Sequence, residues 1–152
     1  MAVSYVVQNI VATARSDSLV LRDWFARGVV SLETSDGMRL AIEEGGTRIR
    51  IIGARTEEQV GSMAAEWDAS EVTLVHMVAT ANMGRPIDLD PIAAANNLRV
   101  SPCGKLVSVM FESRRALRGR AMLFASGKLA LMGCTTREQL DALFAEVLAL
   151  LA

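Results

Sequence analysis

The sequence predicts an α+β fold in which one plan of antiparallel strands and helices occurs twice. Residues 6–14, VVQNIVATA, resemble residues 74–81, LVHMVATA, and residues 49–59, IRIIGARTEEQ, resemble residues 129–139, LALMGCTTREQ. Two matches in the same order and at a comparable separation indicate an internal duplication. Since no linker or low-complexity segment separates the two copies, we expect them to share one continuous sheet.

The repeats cover residues 1–68 and 69–152, and each is expected to end in a strand, a glycine and a capped helix. In the second repeat, residues alternate between two faces over 120–126 and again over 128–132, which indicates two strands. Gly127 lies between them at the predicted hairpin turn, because glycine reaches a positive φ without a Cβ penalty.

The helix that follows the last strand of each repeat is predicted by its cap and by its apolar spacing. Thr56, with glutamine three residues on, fits a capping box in the first repeat. In the second repeat, either Thr136 with Gln139 or Thr135 with Glu138 fits one. Apolar residues then recur at three- and four-residue spacing, which predicts an amphipathic helix in each repeat.

The other elements follow from alternation, turn residues and caps. In the first repeat we predict strands over residues 3–14, 29–34, 38–44 and 47–52, and a helix over residues 20–27. In the second repeat we predict strands over residues 72–81, 98–100 and 105–113, a turn over residues 101–104, and a helix over residues 89–96. Ser18 is expected to cap the first helix, and Asp90 with Pro91 to begin the helix at residues 89–96.

Composition indicates an intracellular protein with its own core. The chain has 152 residues, of which 51% are hydrophobic, so it can bury a core without crosslinks. Its two cysteines, Cys103 and Cys134, match no zinc or redox spacing, and we expect reduced thiols. The sequence shows neither an N-terminal signal nor an apolar run of membrane-spanning length, so we expect no membrane partner.

Charge is distributed unevenly between the repeats. Residues 1–68 carry seven basic and ten acidic side chains, whereas residues 69–152 carry nine basic and seven acidic ones. The second repeat contains a basic stripe: Arg99, Lys105, Arg114, Arg115, Arg118, Arg120 and Lys128. This stripe is explained either by a solvated hairpin edge that resists edge pairing or by a rim that contacts phosphates.

Three segments resemble the TATA-binding protein family of archaeal and eukaryotic transcription. Residues 7–13, VQNIVAT, match that family's first-strand signature, and residues 123–128, LFASGK, match its hairpin signature. Residues 85–89, RPIDL, resemble the entry to the short helix of its second repeat. The resemblance implies a saddle: one curved antiparallel sheet whose concave face lies in the DNA minor groove, with helices on the convex side.

The resemblance also implies which side chains face DNA. Asn9 and His76 take the positions of the family's two central asparagines, and Phe124 takes that of a phenylalanine that wedges between base pairs. Ile42 and Leu106 are the nearest equivalents of two further wedges. The other residues expected on the DNA face or its rim are Val11, Thr13, Arg48, Arg50, Ile52, Val78, Thr80, Arg118, Arg120, Met122, Lys128, Ala130 and Met132.

Several positions depart from the family pattern. Ile52 and Met132 replace central threonines, and Glu112 stands about where the family has a phosphate-contacting arginine. Arg48 and Arg50 would point into the groove, where the family places smaller residues, and the first repeat is shorter than the family's. The sequence therefore predicts a divergent member, from an unusual lineage, archaeal or viral. Its DNA binding is expected to be dominated by the second repeat or directed to a different sequence.

Two functions are open at this point. The first is a general transcription initiation factor that binds and bends A·T-rich promoter DNA and contacts a transcription factor B-type initiation factor. The second, favoured by the acidic first repeat, is a protein-interaction module of transcription regulation that has lost TATA binding. A single histidine and no recognisable nucleophile with its base argue against an enzyme, and no cofactor or metal is expected. We expect a monomer or weak homodimer, located in a nucleus, in archaeal cytoplasm or in a virus-infected host cell.

Overall fold

The computed structural model describes residues 3–34, 36–103, 106–114 and 118–152, with the side chains of residues 102, 103 and 106 outside that description. The described chain forms two compact units. The first is Val7–His76, and the second is Met77–Ala152 together with the residues before Val7. No helix among the described residues is long and apolar enough to cross a membrane.

Among the described residues, the first unit contains four complete strands, two α-helices and a single 3-10 turn at Glu44–Gly46. Along the chain the strands and α-helices are β1 (Val6–Ser16), α1 (Leu19–Ala26), β2 (Ser31–Glu33), β3 (Arg39–Glu43), β4 (Arg48–Ala54) and α2 (Glu57–Glu66). The strands pair antiparallel in the order β2-β3-β4-β1. The Ser18 side chain accepts a hydrogen bond from the Leu21 N–H at 3.3 Å, which confirms the predicted cap of α1.

The second unit has one more described strand than the first. Its elements are β5 (Ala69–Asn82), α3 (Leu89–Ala95), β6 (Val100–Cys103), β7 (Leu106–Glu112), β8 (Arg120–Phe124), β9 (Lys128–Cys134) and α4 (Arg137–Leu151). The first residues of β5 belong to the other unit, and residues 77–82 pair antiparallel with β9. The order is β5-β9-β8-β7-β6, so the first unit has no described equivalent of β6.

The duplicated segments adopt the same local structure. Strands β4 and β9 have the same sequence of exposed, half-buried and buried positions along their seven residues. Each strand contains a glycine with positive φ, Gly53 at 88° and Gly133 at 82°, next to a slip in its pairing register. Each is followed by a threonine cap, Thr56 or Thr136, whose side chain accepts from the N–H three residues on at 3.1 Å. The cap of α4 is therefore Thr136 with Gln139.

In each unit, helices of that unit cover one face of its strands. In the first unit, α2 packs on β4, and the fully buried side chains include Leu40, Ile49 and Ile51. In the second unit, α4 packs on β8 and β9, and the fully buried side chains include Leu123, Leu129, Leu131, Leu140 and Leu143. We call the opposite face of the strands in each unit the open face of that unit.

Two local predictions are wrong. Helix α3 is capped by Asp88, whose carboxylate accepts from the Asp90 N–H at 3.4 Å, so Pro91 is the third helical residue rather than the first. Residues 101–103 of the predicted turn lie instead in strand β6, which pairs with β7 through Val100–Cys103, and residue 104 lies outside the described residues. The polar and proline residues favoured a turn locally, but pairing with β7 determines the conformation.

Candidate nucleic-acid interface

The open face of the second unit is apolar in its middle. Because β8 and β9 bury every second residue, the alternate side chains lie on the open face and are half-buried or exposed. Thr80, Ala130, Met122 and Met110 form one row across β5, β9, β8 and β7. Other predicted residues on this face are Val78, Arg120, Phe124, Lys128 and Met132.

Phe124 lies at the end of this apolar surface. Its neighbour Leu123 is fully buried towards the helices, whereas the Phe124 ring is half-buried on the open face. An open cavity of ≈ 760 Å³ borders the ring. Its lining includes Thr80, Asn82, Lys128, Ala130, Ser4 and Val6. An aromatic side chain is thus available to a ligand at this position.

Met110, which was not predicted from the sequence, extends the apolar row by one strand. Met110 pairs in register with Met122, and both side chains are half-buried. Alternation with the buried Val109 was the signal that could have placed Met110 on the open face.

Two exposed cations flank the apolar surface. Lys128 and Arg120 begin strands β9 and β8, and both are exposed. Among the described residues, no carboxylate lies within ion-pair distance of either side chain, although Glu112 is the direct cross-strand neighbour of Arg120. Their charge is therefore available to an anionic ligand.

The basic stripe does not lie on a single surface. Arg118 is exposed in the turn that precedes β8 and has a positive φ of 63°. Arg99 and Arg114 instead line a groove beside α4, together with Glu112 and Glu146. Lys105 and Arg115 lie outside the described residues.

The wedge prediction for Ile42 is wrong. Ile42 is only 3% exposed and pairs in register with the fully buried Ile49, so it lies on the helix-covered face. Its strand neighbours Ala41 and Glu43 occupy the open-face positions instead, because side chains alternate along β3. The side chain of the other proposed wedge, Leu106, lies outside the described part of the structure.

The open face of the first unit is polar. It carries the half-buried Val11 and Thr13 of β1 and, on β4, the half-buried Arg50 and Ile52 and the exposed Arg48. Thr13 is the cross-strand neighbour of Arg50. The structure places these predicted residues on one face, with Arg50 in its middle and Arg48 at the turn end of the β3–β4 hairpin.

These arginines are paired with carboxylates, an arrangement that was not predicted from the sequence. Arg50 donates to Glu43 at 3.0 Å, and Arg48 lies 3.4 Å from Glu44. A third pair, Arg39 with Glu33, follows across β2 and β3 at 3.4 Å. The signal for these pairs in the sequence was the position of glutamates just before the β3–β4 turn and of arginines just after it.

Asn9 and His76 are both half-buried in their strands. The oxygen of the Asn9 carboxamide accepts a hydrogen bond from the backbone N–H of Gly53 at 2.7 Å. Within the described part of the chain, its nitrogen has no hydrogen-bond partner. Asn9 therefore keeps a donor free for a ligand, whereas its acceptor is engaged within the sheet.

The described residues show no group of histidine, cysteine and carboxylate side chains able to hold a metal ion. Burial raises the pKa of the Cys134 thiol, so this side chain stays protonated at neutral pH. Burial and a hydrogen bond to Asp141 likewise raise the pKa of Tyr5.

Comparison with known proteins adds a family and a fold. Residues 71–152 match the family model described as "Transcription factor TFIID (or TATA-binding protein, TBP)". Among solved structures, the chain is similar to Methanococcus jannaschii TBP, with 18% identity, a TM-score of 0.75, and coverage of 97% of this chain and 98% of that one. No curated protein sequence matches. The structural likeness confirms the predicted α+β saddle fold.

Proposed function

Because the chain belongs to the TATA-binding protein family of transcription factors, we propose that it binds A·T-rich promoter DNA in the minor groove and bends it. In this proposal it acts as a general initiation factor. The open face of each unit contacts the DNA, and the second unit provides most of the binding. The fold and the family support this function, and the observation that supports it most directly is the apolar row beside Phe124.

Phe124 is proposed as the side chain that enters the base stack. Insertion of an apolar wedge unstacks a base step at a cost of a few kcal/mol, which additional contacts along the bent duplex offset. A half-buried ring at the end of a strand needs little rearrangement to be inserted, because its backbone pairs with Ser108 of β7 and the preceding Leu123 pairs with Leu129 of β9. Met122 and Met132 are proposed to fill the groove beside it, since methionine adapts to irregular surfaces.

Asn9 is proposed to contact base edges in the first unit. In the minor groove an A·T pair presents only acceptors, adenine N3 and thymine O2. The Asn9 oxygen is engaged by Gly53, so the carboxamide nitrogen is the group that remains to donate. Uncharged side chains of both units are proposed to contact the groove through shape rather than through charge. These are Val11, Thr13, Val78, Thr80 and Ala130.

Charged side chains are proposed to contact the phosphates. Lys128, Arg118 and Arg120 are exposed and lie on the open face or in the turn that leads to it. Neutralising phosphates releases counterions, which makes binding depend steeply on salt. We further propose that a B-type initiation factor binds the resulting complex and that the DNA-free protein is a monomer or weak homodimer. An empty apolar open face can self-associate.

A binding and bending titration tests this function. A duplex with a TATA sequence and a G·C-rich control, each labelled with a fluorophore at both ends, are titrated at two salt concentrations. Preferential binding and end-to-end shortening of the TATA duplex are expected. Failure of the folded protein to bind either duplex would contradict the proposal.

A protein-interaction module without TATA binding is the second candidate. The ion pairs on the first open face favour it, since an arginine that already holds a carboxylate brings little net charge to DNA. It predicts no duplex binding in the titration, together with saturable binding of a B-type initiation factor in the absence of DNA.

A further inference from the structure

The three ion pairs described above on the open face of the first unit each join an arginine of β3 or β4 to a nearby glutamate. The tightest pair is Arg50 with Glu43, whose Nε and Oε1 atoms are 3.0 Å apart and whose side chains are 40% and 36% exposed. Arg48 with Glu44 lies at the turn end of the same hairpin, with 45% and 65% exposure. Both arginine side chains are therefore less than half exposed to solvent.

The register of the hairpin explains why Glu43 is next to the arginines. Glu43 is the direct cross-strand partner of Arg48, and Arg50 is its diagonal neighbour on the same face. On the far side of β4, Arg48 is also opposite Arg15. Without Glu43 and Glu44, this end of the open face would therefore concentrate like charges.

The second unit has the same kind of cross-strand neighbours without the ion pair. Glu112 is directly opposite Arg120 on the open face, yet no ion pair joins them in the described part of the structure. Lys128 is likewise without a carboxylate partner there. The cations of the two units thus differ in how much charge they can offer to a phosphate.

We propose that Glu43 and Glu44 are attenuators of DNA binding: they neutralise Arg48 and Arg50 and so limit the first unit's contribution to affinity. The inference rests on the proposed function and deepens it, because it identifies residues that set the strength and the asymmetry of binding. An exposed ion pair is weak, and the arginine can leave it to meet a phosphate. The carboxylate then stays close to the phosphate and repels it, so the net gain in charge contacts is small.

Replacing both carboxylates by amides frees the arginines without removing side-chain volume. The test variant is E43Q/E44Q, and the matched control is E57Q/E58Q, which removes the same charge from the first turn of α2 on the helix side. Each protein is titrated with the TATA duplex over a range of salt concentrations. It is also eluted by salt from heparin, a polyanion whose binding needs no base contacts. Thermal unfolding of both variants verifies that they are folded.

E43Q/E44Q is expected to bind the duplex on the order of tenfold more tightly than E57Q/E58Q at low salt, with a salt slope steeper by about two, one phosphate contact for each freed arginine. It should also elute from heparin at higher salt than the control. Adding R48A/R50A should abolish the gain, whereas R48A/R50A in the parent should change affinity much less.

The outcomes separate this inference from the proposed function. A parent that binds DNA, with E43Q/E44Q equal to E57Q/E58Q on both duplex and heparin, would overturn the inference alone. Later elution of E43Q/E44Q from heparin, with no duplex bound by any variant, would support the attenuation of charge and overturn the proposed function. Equal elution with no duplex binding would overturn both.

Discussion

The backbone N–H of Gly53 donates a hydrogen bond to the side-chain oxygen of Asn9 at 2.7 Å, across the slip in register between β1 and β4. At such a bulge one residue of the longer strand has no ladder partner. The Asn9 oxygen supplies one, so this side chain stabilises the sheet as well as presenting its nitrogen to a ligand. The two roles can be separated by substitution.

Asn9→Asp and Asn9→Ala should have different effects on stability and binding. Asn9→Ala removes the acceptor and should lower the free energy of unfolding by about 1 kcal/mol. Asn9→Asp keeps an acceptor for Gly53, so its stability should stay close to the parent's, but it loses the donor and adds a negative charge. It should therefore bind A·T-rich duplex more weakly. Denaturant unfolding and duplex titration measure both effects, and parent-like binding by Asn9→Asp would rule out the base contact.

Phe124→Ala should reduce DNA bending more than it reduces DNA affinity. The ring is proposed to unstack a base step, whereas encounter with the duplex depends mainly on charge. The matched control is Phe111→Ala on β7, whose side chain lines the groove beside α4 and lies on the other face. Energy transfer between labelled duplex ends, at saturating protein, should fall with Phe124→Ala and stay unchanged with Phe111→Ala. Equal bending by both variants would show that Phe124 is not the wedge.

The double variant R118A/R120A should weaken binding to all duplexes alike and flatten its salt dependence. If each side chain contacts one phosphate, the slope of log affinity against log salt should decrease by about two. R99A/R114A is the matched control, because it removes two arginines that line the groove beside α4 instead. A control that flattens the slope as much as R118A/R120A would show that overall charge, rather than placement on the open face, determines binding.

The parts of the fold that the sequence predicted best are those fixed by local chemistry. Helices α2 and α4 begin at the predicted threonine caps because the capping hydrogen bonds span only three residues. The positive φ predicted for Gly127 at the hairpin turn is fixed just as locally. The turn predicted for residues 101–103 was wrong for the opposite reason, because pairing with a neighbouring strand determined their conformation.

Placement on a face depends on register, and register is not local. The family resemblance predicts Ile42 on the DNA face as the nearest equivalent of a wedge residue, but its pairing with Ile49 puts it in the core. The same register creates the Arg50 and Glu43 pair, whose distance depends on the turn through Gly45 and Gly46. A one-residue slip in register would move every one of these side chains to the other face, so the sequence alone does not determine on which face they lie.

Cys134 should react slowly with thiol reagents as long as the protein is folded. The thiol is buried and burial raises its pKa, so both access and thiolate fraction are low. Stability linked to this group is fully present below its ordinary pKa of 9.0 and is lost as pH rises through the higher folded value. Labelling of a C103S variant, with and without denaturant, measures the protection. Fast labelling of the folded variant would contradict the burial of Cys134.

Gly127→Ala should destabilise the protein strongly, whereas Gly61→Ala should not. Gly127 has a φ of 96°, and a Cβ there would lie 2.1 Å from the carbonyl oxygen of Arg85. Strain and clash together should lower the free energy of unfolding by at least about 2 kcal/mol. Gly61 lies within α2 with open space around it, so alanine should stabilise that helix by about 0.5–1 kcal/mol. Denaturant unfolding of the two variants measures the difference. A Gly127→Ala protein as stable as the parent would contradict the close approach of Arg85 to the β8–β9 turn that places Phe124 and Lys128.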